Sequence, residues 1–144
     1  MFKTIAVGTD GTKTADNAVD VALDIAERYG ARLLIFSVYA PMSDKELAKD
    51  RAELPEEIQW KISATKRVDA VLDRALDRAR ARGLESDAVA RQGEPAAVIC
   101  QLAAEHNADL LVVGNKGMKR RVFGSVPRGI CQHAPCSVVV AKTT

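Results

Sequence analysis

Between positions 114 and 125 the chain reads Gly-Asn-Lys-Gly-Met-Lys-Arg-Arg-Val-Phe-Gly-Ser, its densest stretch of chemically useful residues. Gly114, Gly117 and Gly124 let backbone come close to a ligand and take conformations closed to other residues. A helical pattern starts at Gly124-Ser125, so unpaired N–H groups and the positive dipole end face outward there. Lys116, Lys119, Arg120, Arg121 and Arg128 surround it, with no acidic residue from Lys116 to Arg128. Exposed amides, a helix start and clustered cations together describe an anion site, and phosphate is the fitting anion. The plainer reading is a glycine turn with a solvated basic face.

A second candidate follows the first apolar run, Thr4-Ile5-Ala6-Val7-Gly8, as Thr9-Asp10-Gly11. Asp10 suits a tight turn and equally a carboxylate facing a ligand, and both readings stay open. Cys131 and Cys136, with His133 between them, invite a metal reading, but Cys100 reads as core in its helix stripe and the rest of the chain offers only His106 as a further soft ligand. Zinc sites need about four ligands, so idle thiols are the better expectation. Three cysteines cannot all pair within one chain, which points to a reducing compartment.

These residues need elements to position them, and strand and helix patterns alternate throughout. Thr4–Gly8 reads as a buried strand. Thr14 or Asp16 is expected to cap a helix with the stripe Ala18, Val19, Ala22, Leu23, Ile25 and Ala26, closed by Gly30. Arg32–Val38 is a second two-faced apolar strand. A charged excursion, Pro41–Glu57, is expected to be mobile near the mouth of the site, with Ser43–Glu46 spaced as a capping box. A long helix follows over about Glu56–Arg82, ended by Gly83. Asp87–Arg91 reads as a weak edge strand. Glu94-Pro95 opens a helix, with Pro95 where its missing donor costs little. Leu110–Val113, a helix over about Ser125–His133, and Ser137–Ala141 complete the series. Five strands separated by helices, the central ones apolar on both faces, predict an α/β fold: one doubly wound parallel sheet, Rossmann-like, with helices on both faces. In such sheets ligands bind beyond the carboxyl ends of strands, which is where both candidate segments fall.

Bulk properties narrow the class. A chain of 144 residues accommodates one domain, here residues 1–144. It is 47% hydrophobic, 28% charged and 4% aromatic, the composition of a globular protein. Its 21 basic and 19 acidic residues leave a formal charge of +2, which argues against a dedicated nucleic-acid binder. No apolar run approaches the ~20 residues of a membrane span, and the N-terminus lacks a signal-peptide pattern. A cytoplasmic location is expected. Neither the P-loop pattern nor G-x-G-x-x-G in the first strand–helix turn is present, so a P-loop NTPase or a dinucleotide dehydrogenase is not supported.

The combination of Val7-Gly8-Thr9-Asp10-Gly11, Asp109-Leu110-Leu111-Val112-Val113-Gly114, Gly-Ser-Val-Pro at 124–127 and the closing Ala-Pro-Cys-Ser-Val-Val-Val resembles the universal stress protein family over the whole chain. Many members of that family bind ATP through G-2x-G-9x-G-[ST], and others bind no nucleotide. Gly114, Gly117, Gly124 and Ser125 match the pattern, but six residues separate Gly117 from Gly124 where nine are usual. The resemblance implies an adenine-nucleotide site, for ATP with Mg2+ or for AMP. It would be built from Thr9, Asp10, Val38, Val113, Gly114, Lys116, Gly117, Gly124, Ser125 and Val126, with Val38 offering backbone groups to the adenine edge. It also implies a homodimer formed through strand Val138–Ala141.

Catalysis is a weaker expectation. Asp10 is the only carboxylate near the proposed phosphates, and His106 and His133 fall at helix C-termini, where a cation is favourable without catalysis. Slow hydrolysis of bound ATP is the most that these residues support. A phosphoacceptor receiver domain would need an Asp after the third strand, where Arg91-Gln92-Gly93 stands. Three readings therefore stand: a nucleotide-binding stress or signalling module first, a non-nucleotide dimeric scaffold second, and a small enzyme on a phosphorylated or adenylated substrate last.

Overall fold

A computed structural model describes residues 1–39, 54–115 and 126–142 of the chain, without the side chains of 54–66. Its elements are β1 (Thr4–Gly8), α1 (Lys13–Tyr29), β2 (Arg32–Tyr39), α2 (Leu54–Ala81), β3 (Ser86–Gln92), α3 (Pro95–Glu105), β4 (Leu110–Gly114), α4 (Val126–His133) and β5 (Ser137–Ala141). The five strands form one parallel sheet in the order β3-β2-β1-β4-β5. The chain winds outward from β1 through β2 to β3, then crosses back to β4 and on to β5. The winding direction therefore reverses between β1 and β4.

Side-chain alternation along the central strands divides the core into two layers. Ile5, Val7, Leu33, Ile35, Leu110 and Val112 face α1 and α2, where Val19, Leu23, Leu72 and Ala79 are buried against them. Ala6, Leu34, Phe36, Leu111 and Val113 face α3 and α4, against Ile99, Leu102 and Ile130. Both faces of the middle strands are thus covered, which is why those strands are apolar at every position. The expected weak strand is the edge strand β3, where half-buried and exposed residues mix and none is fully buried.

Local chemistry sets the boundaries. Gly30 ends α1 in the left-handed conformation, and the Ala31 N–H reaches back to the Ala26 carbonyl at 2.9 Å. The Leu84 N–H does the same to Ala79 at 3.1 Å after α2. Glu94 caps α3 with both carboxylate oxygens, accepting from Ala96 N–H at 3.2 Å and Ala97 N–H at 2.8 Å, with Pro95 in the first turn.

One expected cap is corrected. Neither Thr14 nor Asp16 caps α1; Thr12 does, in extended geometry (φ −72°, ψ 161°), accepting from Ala15 N–H at 3.2 Å. The reason is the preceding turn. Asp10 holds Thr12 in place, so the helix starts as soon as a hydroxyl is available, and Asp16 is left free to pair with α2. Helix α2 begins at Leu54, two residues before the expected start, and α4 is described from Val126. Of the charged excursion, Pro41–Glu53 and its proposed capping box lie outside the described residues.

Candidate functional site

The sheet reverses direction between β1 and β4, and in a doubly wound sheet this leaves a crevice outside the carboxyl ends of those strands. Such a cleft is present, with a volume of about 70 Å³ among the described residues. Gly8, Thr9 and Asp10 reach it from β1, Phe36 and Val38 from β2, and Val113 and Gly114 from β4. The starts of α3 (Pro95, Ile99) and α4 (Val126, Pro127, Ile130) close its sides. The wall is mostly apolar, with the polar groups of Thr9 and Asp10 at one rim. That arrangement suits a flat heteroaromatic ligand with a polar extension.

Its floor is set by strand chemistry. The Thr9 N–H donates to the Phe36 carbonyl at 2.9 Å and so continues the β1–β2 pairing one residue beyond β1. Because strand residues alternate the direction of their backbone groups, Val38 turns its N–H and C=O the same way as Phe36, past the end of β1. These groups border the cleft. Gly8 admits the close approach of α3: a Cβ there would lie 3.1 Å from Ile99 Cδ1.

The loop after β1 is built by short polar side chains folding back on their own backbone. Thr9 is buried, and its hydroxyl accepts from Gly11 N–H at 3.2 Å. Asp10 Oδ1 accepts from the Thr12 N–H at 2.9 Å and from its hydroxyl at 2.6 Å. Asp10 is thus the turn residue that its type allowed. It also lines the cleft, and among the described residues both of its side-chain hydrogen bonds fall on Oδ1.

Helices α3 and α4 meet closely beside the cleft. A Cβ at Gly129 would lie 3.1 Å from that of Ala96, and the Cys100 thiol faces the Ile130 carbonyl at 4.0 Å. Burial, with a smaller contribution from the Glu94 carboxylate, pushes the Cys100 thiol above its ordinary range. It belongs to the core, as its place in the helix stripe predicted. His106 is the C-terminal cap of α3, with its ring 5.9 Å from that of Phe36, and it does not line the cleft.

Six of the residues nominated from the sequence, Thr9, Asp10, Val38, Val113, Gly114 and Val126, come together around this one cleft. Lys116, Gly117, Gly124 and Ser125 lie outside the described residues, as do Lys119, Arg120 and Arg121. Arg128 is exposed on α4. Among the lining residues that sequence reasoning did not nominate are Phe36, Pro95, Ile99, Pro127 and Ile130. Phe36 carried a readable signal, since it lies two positions before Val38 and must share its face of the sheet. Pro95 and Ile99 carried none, because their pattern is that of a helix packed on a core.

The model of the universal stress protein family matches residues 1–142. A universal stress protein of Mycobacterium tuberculosis is 35% identical, with 99% of this chain and 98% of that one covered. Among solved structures, a universal stress protein in complex with cAMP is 31% identical with a TM-score of 0.75, covering 99% of this chain and 98% of that one. The universal stress protein UspA from Lactobacillus plantarum is 27% identical with a TM-score of 0.77, and 98% of each chain is covered. The likeness spans both halves of the sheet and therefore both sides of the cleft. The chain belongs to the universal stress protein family.

Proposed function

We propose that this protein binds an adenine nucleotide in the cleft between β1 and β4 and acts as a nucleotide-responsive stress or signalling module. The observation that carries the reading is the convergence of Thr9, Asp10, Val38, Val113, Gly114 and Val126 on one apolar crevice at the reversal point of the sheet. The residues present fit the group. Phe36, Val38, Val113 and Ile130 offer flat apolar walls for the base, and the backbone of Val38 borders it with a donor and an acceptor. Asp10 lines the cleft and would be the acceptor for a ribose hydroxyl. Phosphates would extend toward the segment from Gly114 through Lys116 and Gly117 to Gly124 and Ser125, whose glycines and cations supply amides and positive charge. ATP with Mg2+ and AMP are both candidates, and the 31%-identical relative solved with cAMP adds a cyclic nucleotide.

Two further parts belong to this proposal. Strand β5 ends the sheet with Val140 42% exposed, an apolar edge that a second copy would cover by antiparallel pairing in a twofold dimer. The three free thiols accord with a reducing, cytoplasmic setting. A dimeric scaffold that binds no nucleotide is the second reading, and the same open edge favours it.

Calorimetric titration of the full chain with ATP and magnesium, AMP and cAMP, repeated on Gly114→Val, decides between them. Saturable binding by the wild type that is lost in the variant is the expected result. Binding that survives the substitution unchanged would move the site elsewhere. No binding of any of the three by the wild type would leave the scaffold reading.

A further inference from the structure

Helices α1 and α2 are joined by a ladder of ion pairs that steps by four residues in both. Arg74 pairs with Asp16, Arg78 with Asp16 and Asp20, and Arg82 with Asp24 and Glu27. Constant spacing keeps these groups on facing ridges, so each rung repeats the last. The first rung differs. Arg74 Nη2 donates to both oxygens of Asp16, at 3.2 and 3.3 Å, and also to the backbone carbonyl of Gly11 at 3.2 Å. One turn earlier on α2, Val71 lies against the same glycine, where an added Cβ would come 2.5 Å from its Cγ2.

Gly11 directly follows Asp10 in the loop that borders the cleft. The loop's own hydrogen bonds, Thr9 to Gly11 and Asp10 to Thr12, fold it on itself but do not fix its direction relative to the sheet. The bond from Thr9 to Phe36 anchors its start. The contact from Arg74 and Val71 anchors its middle, from about sixty residues away in sequence. We propose that Arg74 is a positioning residue of the cleft: by holding the Gly11 carbonyl and Asp16 together, it sets the peptide that aims Asp10 at the rim. Arg78, which reaches Asp16 at 3.9 Å without bonding Gly11, and Arg82 hold the two helices side by side. The consequence for ligand affinity rests on the proposed nucleotide reading, whereas the consequence for loop order does not.

The test compares rungs in the full-length protein. Hydrogen exchange is followed at Gly11, Thr12 and Ala15 in the wild type, Arg74→Ala and Arg82→Ala. Arg74 is 53% and Asp16 34% exposed, so the contact is weakened by solvent, and Arg74→Ala should speed exchange about threefold. Arg82→Ala should leave these amides unchanged. Arg74→Lys, which keeps a cation near the carbonyl, should restore slow exchange, and Arg74→Met, which keeps only the stem, should not. Affinity for cAMP should fall about threefold in Arg74→Ala and hold in Arg82→Ala. The proposal is overturned if Arg74→Ala exchanges like the wild type, if Arg82→Ala loosens the loop equally, if Arg74→Met restores it, or if the loop loosens while affinity stays the same. Should the wild type bind no nucleotide, the proposed function fails, and the exchange arm still judges Arg74.

Discussion

Gly11→Ala tests the packing of the cleft loop quantitatively. Gly11 has φ +82°, a left-handed conformation that costs an alanine about 1 kcal/mol net. A methyl there would also lie 2.5 Å from Val71 Cγ2, well inside contact distance. Valine in a helix has essentially one side-chain rotamer, so it cannot swing away, and the backbone must move. Overpacking of this kind costs about 1–3 kcal/mol, giving a total of about 2–4 kcal/mol. Gly30→Ala is the internal control, because Gly30 has φ +62° and nothing within 4 Å of the added carbon. It should lose the conformational part alone, about 1 kcal/mol. With an unfolding entropy of about 2.1 cal/mol/K per residue, each kcal/mol lowers the midpoint by about 3 °C. The two variants should therefore melt about 3 °C (Gly30→Ala) and about 6–13 °C (Gly11→Ala) below the wild type. Urea unfolding followed by circular dichroism measures the same difference, and a double-mutant cycle with Val71→Ala isolates its source. In that cycle Gly11→Ala should recover about 1–3 kcal/mol relative to additivity, because the clashing methyl is gone. Equal losses in the two glycine variants, or an additive cycle, would refute the argument.

Other outcomes follow from the same structure. Asp109 accepts the N–H groups of Thr4 and Lys3, both at 2.9 Å, and these bonds hold its carboxyl below the usual carboxylate range. Its folded pKa is depressed, so its contribution to stability is present above the unfolded value of about 3.9 and is lost as pH falls through the folded one. The stability gap between wild type and Asp109→Asn, measured by urea unfolding, should narrow as pH falls below about 4; a constant gap would contradict the assignment. Thiol titration should modify exposed Cys131 first and buried Cys100 last, since burial raises the Cys100 thiol. Early loss of the Cys100 signal from native protein would count against the packing of α3 on α4. Val140→Glu should convert the proposed dimer to monomer in equilibrium sedimentation at micromolar concentration without changing the fold, and a wild type already monomeric there would rule out pairing through β5.

The amino-acid sequence alone settled the elements and the class of sheet, because both depend on short-range pattern. Ile5-Ala6-Val7 and Leu110–Val113 are apolar at every position, which only a doubly covered strand permits. Gly30, Gly83 and Glu94-Pro95 mark helix ends by conformational and capping preferences that act within one turn. The family and six of the cleft residues were legible for a related reason, since they follow strand ends and must meet at a carboxyl edge. Tertiary structure alone decided the order β3-β2-β1-β4-β5, and with it the crevice between β1 and β4. No local signal states which strands become neighbours. It also decided that Pro95 and Ile99 wall the cleft and that Thr12 caps α1 in place of Thr14 or Asp16. The hold of Arg74 and Val71 on Gly11 belongs with these, since it joins residues about sixty positions apart. Such contacts depend on how helices settle on a twisted sheet, and only the assembled core determines that.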